Sequence, residues 1–331
     1  MKAIIPVAGA GTRLRPHTYT QPKPLIPVAG KTIISFIIDS LLEVGVNDFV
    51  FIIGYMGEKI RGYVEEYYPD LQKEFVTQNN RLGSAHAIWT AKDVIKDANE
   101  IFIVFGDTIV DVNLKEIIDD PNSCLGVKMV KDPREFGVVE LGENNLVTKV
   151  VEKPNIPKSN LAMVGLYKIK EVDELLKAIG DNIEKEISNH GEYQLTDAIM
   201  NLIDAGTKFS TASVDNWFDC GKKEILLETN STLLDREGYA SRDLPPFDNS
   251  IIIHPVSIGK NCIIKNSIVG PHVSIGNNTK IVNSIVSQSI IGSYASIDEV
   301  MLKESLIGSD TSIKGIKQSL NIGDNTEIDF S

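Results

Sequence analysis

Apolar and polar positions divide the chain into two textures. Residues 2–8 (KAIIPVA) form a short apolar run closed by glycine, which predicts a buried strand feeding a loop. The apolar spacing of TIISFIIDSLLEV predicts a helix over 32–44, with Thr32 placed to cap it. FVFII at 49–53 and IFIVF at 101–105 predict two further buried strands. Residues 57–67 and 84–92 read as helices, and Glu74–Thr77 as a short strand. Strand and helix alternate, so an α/β domain with a mixed, mainly parallel sheet is expected. Strands at 124–130, 136–141, 146–152 and 161–169 follow one another without full helices between them, which predicts an antiparallel addition. Helices near 171–180 and 194–205, a strand near 208–214 and a helix over about 221–236 complete this part.

GYASRDLPPFDNS, with two prolines and a glycine among mixed polar residues, marks a linker over 238–250. Beyond it Ile-Gly recurs at 258–259, 275–276, 307–308 and 322–323. Further isoleucines, up to Ile328, fall mostly five to seven residues apart, with Asn, Ser and Gly between them. A repeat of about six residues with one aliphatic each is the signature of a parallel β-helix, whose rungs stack and bury that residue. The alternative is an irregular β-sandwich. Domains are therefore expected at 1–237 and 251–331, joined by 238–250.

Composition narrows the class of partner. A chain of 331 residues suits one large and one small domain. Its formal charge of −12 argues against a nucleic-acid partner, whose phosphates require a basic surface. A local basic pocket or a metal still admits small phosphorylated ligands. Cys124, Cys220 and Cys262 are far apart and lack metal-site spacing, so a reduced, cytoplasmic setting is expected. Met1 runs straight into a strand, without the features of a signal peptide. No apolar run approaches the length that crosses a bilayer, so no membrane partner is expected.

The candidate chemistry begins at AGAGTRLR, residues 8–15. Two glycines let the backbone approach an anion and aim its N–H groups, and Arg13 and Arg15 can add charge-assisted bonds. Alone, such a loop is equally a tight strand-to-helix turn. A dinucleotide fingerprint would need glycine at Leu14 and an acidic residue ending the second strand. A kinase-type G-K-[ST] is also absent. Lys23 stands between Pro22 and Pro24, rigidly presented beside the loop. Asp107 follows the strand IFIVF, at the carboxyl end where open α/β sheets bind ligands. A carboxylate there suits Mg²⁺, and equally a turn cap.

AGAGTRLRP followed by PKPLIPVAGK resembles the signature of the sugar-1-phosphate nucleotidylyltransferases, most closely the glucose-1-phosphate thymidylyltransferases. The resemblance is nearly continuous over residues 1–237; beyond them it rests on the repeat texture. It implies a Rossmann-like nucleotidyltransferase domain followed by a small left-handed parallel β-helix. It implies Mg²⁺ held by Asp107 and Asp219, and catalytic roles for Arg13, Lys23, Asp107 and Lys153. Nucleotide contacts would come from Ala8, Gly9, Ala10, Gly11, Thr12 and Arg13, with Gln78 and Gly83 reading the base. A glutamine amide is both donor and acceptor, which matches N3–H and O4 of thymine or uracil. Gly137, Glu152, Lys153, Gly165, Tyr167 and Glu192 would line the sugar-phosphate half. His86 reads as a helix residue under the pocket, and Cys220 as a small buried hydrophobe.

The implied activity is transfer of a nucleotidyl group from a nucleoside triphosphate to a sugar 1-phosphate, with pyrophosphate released. dTTP and glucose 1-phosphate are the foremost pair; UTP and GTP are alternatives to dTTP. One rival is acyl transfer in the β-helix, where His254 and His272 are the only histidines and read as rung-corner residues. The other is a catalytically silent nucleotide sensor. Assembly into a homo-oligomer is the remaining expectation.

Overall fold

The computed structural model describes residues 1–189 and 191–315. The chain divides into two compact units, Met1–Thr229 and Asn230–Ser331.

The first unit is built on a nine-stranded mixed sheet. Its strands come in chain order as β1 (Lys2–Val7), the short hairpin β2 (Pro27–Val28) and β3 (Lys31–Thr32), which lies off the sheet, then β4 (Asp48–Ile53) and β5 (Gln72–Thr77). β6 (Ile101–Val104), β7 (Thr108–Asp111), β8 (Ser123–Met129), β9 (Gly137–Leu141) and β10 (Val147–Glu152) follow. β11 (Leu161–Ile169), β12 (Phe209–Ser213) and β13 (Asn216–Asp219) complete the unit. β1 pairs in parallel with β4 and β6, and β4 with β5. β11 runs antiparallel to β6, β8 and β9, and β10 to β9. The antiparallel addition thus begins at β11, as the uninterrupted succession of strands implied. β12 returns parallel to β8.

The helices are α1 (Ile33–Glu43), α2 (Gly57–Tyr67), α3 (Ser84–Thr90), α4 (Lys92–Ile95), α5 (Leu114–Asp119), α6 (Val172–Glu184), α7 (Leu195–Asp204) and α8 (Lys223–Leu234). α1 starts where its sequence dictates, because the Thr32 hydroxyl accepts the Ser35 N–H and satisfies an otherwise unpaired donor. The single helix expected over 84–92 is broken at Ala91 into α3 and α4, and α6 runs on to Glu184. β1, β4 and β6 bury side chains on both faces, which is why they read as continuous apolar runs. Ile4, Val50, Ile52 and Ile103 share one core with Ile88 of α3, Ile179 of α6 and Ile199 of α7. β7 and β13 form a separate antiparallel ribbon that pairs Asp219 with Thr108. Neither strand of this ribbon was read from the sequence; each is four residues long and carries no clear alternation.

Over the described residues the second unit is a left-handed parallel β-helix of three four-stranded faces. One face stacks Ile251, Ile268, Ile285 and Met301 in register. The offsets between them are one coil each, so three of the six-residue repeats make a turn. Val256, Val269, Val286, Ile281 and Ile297 fill the interior. The Ile-Gly pair at 322–323 and Ile328 lie outside the described residues. Residues 238–250 are not a free linker. Ser241 donates its N–H to the Val256 carbonyl at 2.8 Å, and Leu244 and Phe247 pack on the coil interior. Residues 230–237 also fall in this unit, because Asn230 and Asp235 bond the first coils at Ser274 and His272.

Candidate active site

The site starts where β1 ends. Ala8 is buried, and a Cβ on Gly54 would lie 2.8 Å from it, so β4 and the loop meet closely. A Cβ on Gly9 would meet nothing within 4 Å, which leaves that stretch of backbone open to a ligand. Gly11 has φ +60, a conformation glycine adopts without strain, and its carbonyl accepts the Thr18 hydroxyl at 2.9 Å. Thr12–Leu14 then makes one 3₁₀ turn that brings Arg13 forward. Pro22 is extended, and Lys23 opens a 3₁₀ turn with Pro24 and Leu25.

Lys23 is buried, and its charge is held by two carboxylates. Its Nζ lies 2.8 Å from Asp107 Oδ2 and 3.4 Å from Asp219 Oδ1. Arg13 reaches Asp219 Oδ2 at 3.5 Å from the solvent side. The register of the β7–β13 ribbon causes this convergence. Asp219 lies opposite Thr108, next to Asp107, and the Cys220 N–H donates to the Asp107 carbonyl at 3.2 Å. Glycine at 106 and 221 leaves room. A Cβ on Gly106 would collide with Val7, and one on Gly221 would lie 2.6 Å from the Arg13 guanidinium. Burial pushes the Asp107 carboxyl up, but the charge and hydrogen bond of Lys23, with Thr108 and Arg13, outweigh it and hold the group below its ordinary value. Burial raises the Cys220 thiol to about 12, so it stays a neutral packing group.

Two cavities meet at Arg13, Phe105 and Asp107. The first, about 570 Å³, is lined by residues 6–13, Lys23, Gln78, Gly83 and Ser84. Gly83 sits at φ +100 with its Cα against the Tyr193 backbone, where no side chain fits. Glu192, expected on the sugar-phosphate side, lines this first cavity instead, and Gln194 donates to it at 3.0 Å. The second, about 810 Å³, is lined by Gly137, Glu152, Lys153, Gly165, Tyr167 and Asp219. Glu152 Oε2 accepts the Thr196 hydroxyl at 2.7 Å and lies 3.2 Å from where a Cβ on Gly137 would be. Gly165 has φ +77 at the irregular register between β11 and β8, with its Cα against Phe105. Tyr167 is buried edge-on to Phe105, and burial, with Glu152 and Asp107 nearby, raises its hydroxyl. Lys153, exposed and at φ +40, is placed by its N–H donating to the Phe136 carbonyl at 3.0 Å.

The structure also brings in residues that sequence reasoning passed over. Trp217 and Phe136 pack edge to face, 4.6 Å between ring centres, as one wall of the second cavity. The signal was present: Trp217 and Asp219 are two apart on one strand and so share a face. Arg81 and Ser84 line the first cavity, and Lys128 and Glu228 the second; nothing in their local sequence marks them.

A family model described as nucleotidyl transferase matches residues 2–236. The bifunctional protein GlmU of Methanococcus vannielii is 36% identical over 95% of this chain and 73% of its own. Other proteins of that name are matched over 55% of their length, so the chain spans about half of them. A glucose-1-phosphate thymidylyltransferase of Streptomyces antibioticus is 29% identical over 99% of this chain and 93% of its own. Among solved structures, a UDP-glucose pyrophosphorylase complexed with UDP-glucose superposes with a TM-score of 0.62 at 22% identity. It covers 70% of this chain and 97% of that one, and the likeness is one of fold.

Proposed function

The chain belongs to the nucleotidyl transferase family, and we propose that it joins a nucleoside triphosphate to a sugar 1-phosphate, forming a nucleotide sugar and releasing pyrophosphate. One observation carries this reading. Arg13, Lys23, Asp107 and Asp219, from four separate segments, converge where two cavities meet. The first cavity takes the nucleotide and the second the sugar 1-phosphate. dTTP with glucose 1-phosphate is the favoured pair, supported by the full-length likeness to the Streptomyces antibioticus protein. UTP and GTP are the alternatives to dTTP.

In this reading a phosphate oxygen of the sugar attacks the α-phosphorus in line, and pyrophosphate leaves opposite. No general base is needed, because a phosphate monoester is already ionised near neutral pH. The amides of residues 9–13 bind triphosphate oxygens, and Arg13, Lys23 and Lys153 offset the repulsion between two anions. The donor set fits Mg²⁺, since two carboxylates already close enough to share the Lys23 ammonium can share a hard cation, with phosphates and water completing its shell. Held by Asp107 and Asp219, Mg²⁺ would supply further positive charge against the triphosphate.

The buried free thiols Cys124 and Cys220 support a cytoplasmic setting. Among the described residues no helix is long and apolar enough to cross a membrane. Self-association through the β-helix rather than acyl transfer is the role assigned to the second unit. Ile251, Ile285 and Met301 stand 59%, 39% and 75% exposed in one outward ladder. That strip carries no charge on a chain of net −12, so two copies can meet there without the repulsion the rest of the surface imposes.

The test is a pyrophosphate-release assay across sugar 1-phosphates and triphosphates, with and without Mg²⁺. Release that needs both substrates and the metal supports the reading. Nucleotide binding without release would make the chain a sensor. Lys153→Ala should raise the sugar 1-phosphate KM about tenfold; an effect confined to the nucleotide KM contradicts the placement of the two substrates.

A further inference from the structure

The end of Gln78 that faces the first cavity is chosen by what lies behind it. Gln78 follows β5, is 5% exposed, and donates its backbone N–H to the Ile53 carbonyl at 2.8 Å. Its side-chain Nε2 lies 3.3 Å from the Gly83 carbonyl oxygen and 3.0 Å from His86 Nδ1. A carbonyl oxygen only accepts, so the group turned toward Gly83 must be the NH₂. The same NH₂ meets His86 Nδ1, which must then be the bare ring nitrogen, with the proton on Nε2. Burial lowers the His86 pKa from its ordinary value, in keeping with a neutral ring. Both amide protons are therefore used inward. Among the described residues none donates to Gln78 Oε1, and that oxygen is not sealed from solvent.

We propose that His86 is a positioning residue for base selection: by holding the Gln78 amide protons, it presents Oε1 to the base as a pure acceptor. This rests on the nucleotidyl-transfer reading of the cavity and deepens it. A base whose pairing edge offers a ring N–H meets that acceptor, which admits thymine and uracil through N3–H and guanine through N1–H. Cytosine and adenine present a bare ring nitrogen there, lone pair against lone pair, and are refused. His86 touches neither substrate nor reacting atoms; it acts through the rotamer of Gln78.

The experiment compares wild type with His86→Asn, His86→Ala and His86→Lys in the full chain. Equilibrium binding of dTTP, UTP, GTP, CTP and ATP comes first, and pyrophosphate release second. Asn restores an acceptor near the Nδ1 position and should keep the wild-type preference. Ala leaves the 3.3 Å contact with the Gly83 carbonyl as the only inward hold on the amide, so the affinity ratio of dTTP to CTP should fall about tenfold, the worth of one such hydrogen bond. Lys only donates, should turn the amide around, and should lower the ratio further. The change should appear in the nucleotide Kd and not in the sugar 1-phosphate KM, a split that general loosening of α3 would not produce. An unchanged ratio in the Ala and Lys variants, or a wild type preferring CTP or ATP, overturns the proposal. Failure of wild type to release pyrophosphate from any triphosphate would defeat the functional reading alone, because the binding arm still reports the base preference.

Discussion

The two units use the same small and polar residues to opposite ends. In the first unit a charge is buried: Lys23 lies between Asp107 and Asp219, with Arg13 at the rim. In the second, several of the buried polar side chains are hydroxyls that close back on their own backbone. Ser267, Ser284 and Ser289 each donate to the carbonyl two residues earlier, at 2.6–2.7 Å. Glycine divides the same way. Gly9 faces open space, whereas a Cβ on Gly276 would lie 2.5 Å from Ser293 N of the next coil. The difference teaches how to tell a site from a scaffold. A repeat unit satisfies each polar group locally, so coil can stack on coil. A site leaves backbone and charge unsatisfied by its own segment, so that distant segments and a ligand complete them.

That contrast can be broken most severely at Asp107. Asp107→Asn should lower turnover about a thousandfold in a chain that still folds cooperatively. Near-normal turnover would remove Asp107 from the site. The mirror-image test is in the coil interior. Ile281→Ala, at a fully buried position, should destabilise the second unit by about 2–5 kcal/mol, read by denaturant unfolding, with pyrophosphate release per folded molecule unchanged. A matching loss of catalysis would deny the division of roles. Glycine gives a smaller, paired test. Gly276→Ala should cost about 1–3 kcal/mol because backbone must shift, whereas Gly9→Ala should leave stability within about 0.5 kcal/mol and weaken nucleotide binding.

The least effect is expected in acid. Asp107 is held below its ordinary value, so its contribution is present above the unfolded value near pH 4 and is lost as pH falls through the lowered one. Lys23→Met removes the main cause of that lowering. The stability gap between wild type and this variant should therefore be widest at neutral pH and narrow below about pH 4, followed by unfolding at a series of pH values. A gap independent of pH would mean that Lys23 does not hold the Asp107 charge.

Much of the scaffold was legible because it rests on periodicity. β1, β4 and β6 are apolar throughout, since both faces are covered, and the coil repeat announces itself in isoleucine spacing. The loop at Ala8–Arg13 and the lysine between prolines were legible as local chemistry. The β7–β13 ribbon was not, since four-residue strands carry too little pattern, and the cover formed by residues 238–250 was hidden under the composition of a linker. Glu192 lines the cavity of Gln78 and Gly83 and not that of Glu152 and Lys153, with which it was grouped, because order along a chain does not say which wall of a cavity a residue faces.

By itself, then, the sequence determined the two architectures and the make-up of the glycine loop, each written within a few consecutive residues where propensity and spacing act. Tertiary structure alone decided that Lys23 lies between Asp107 and Asp219, and that His86 Nδ1 comes within 3.0 Å of the Gln78 amide. Segments up to 196 positions apart meet there. Such contacts follow from strand register and helix placement, which the whole core sets together and no local window of residues can express.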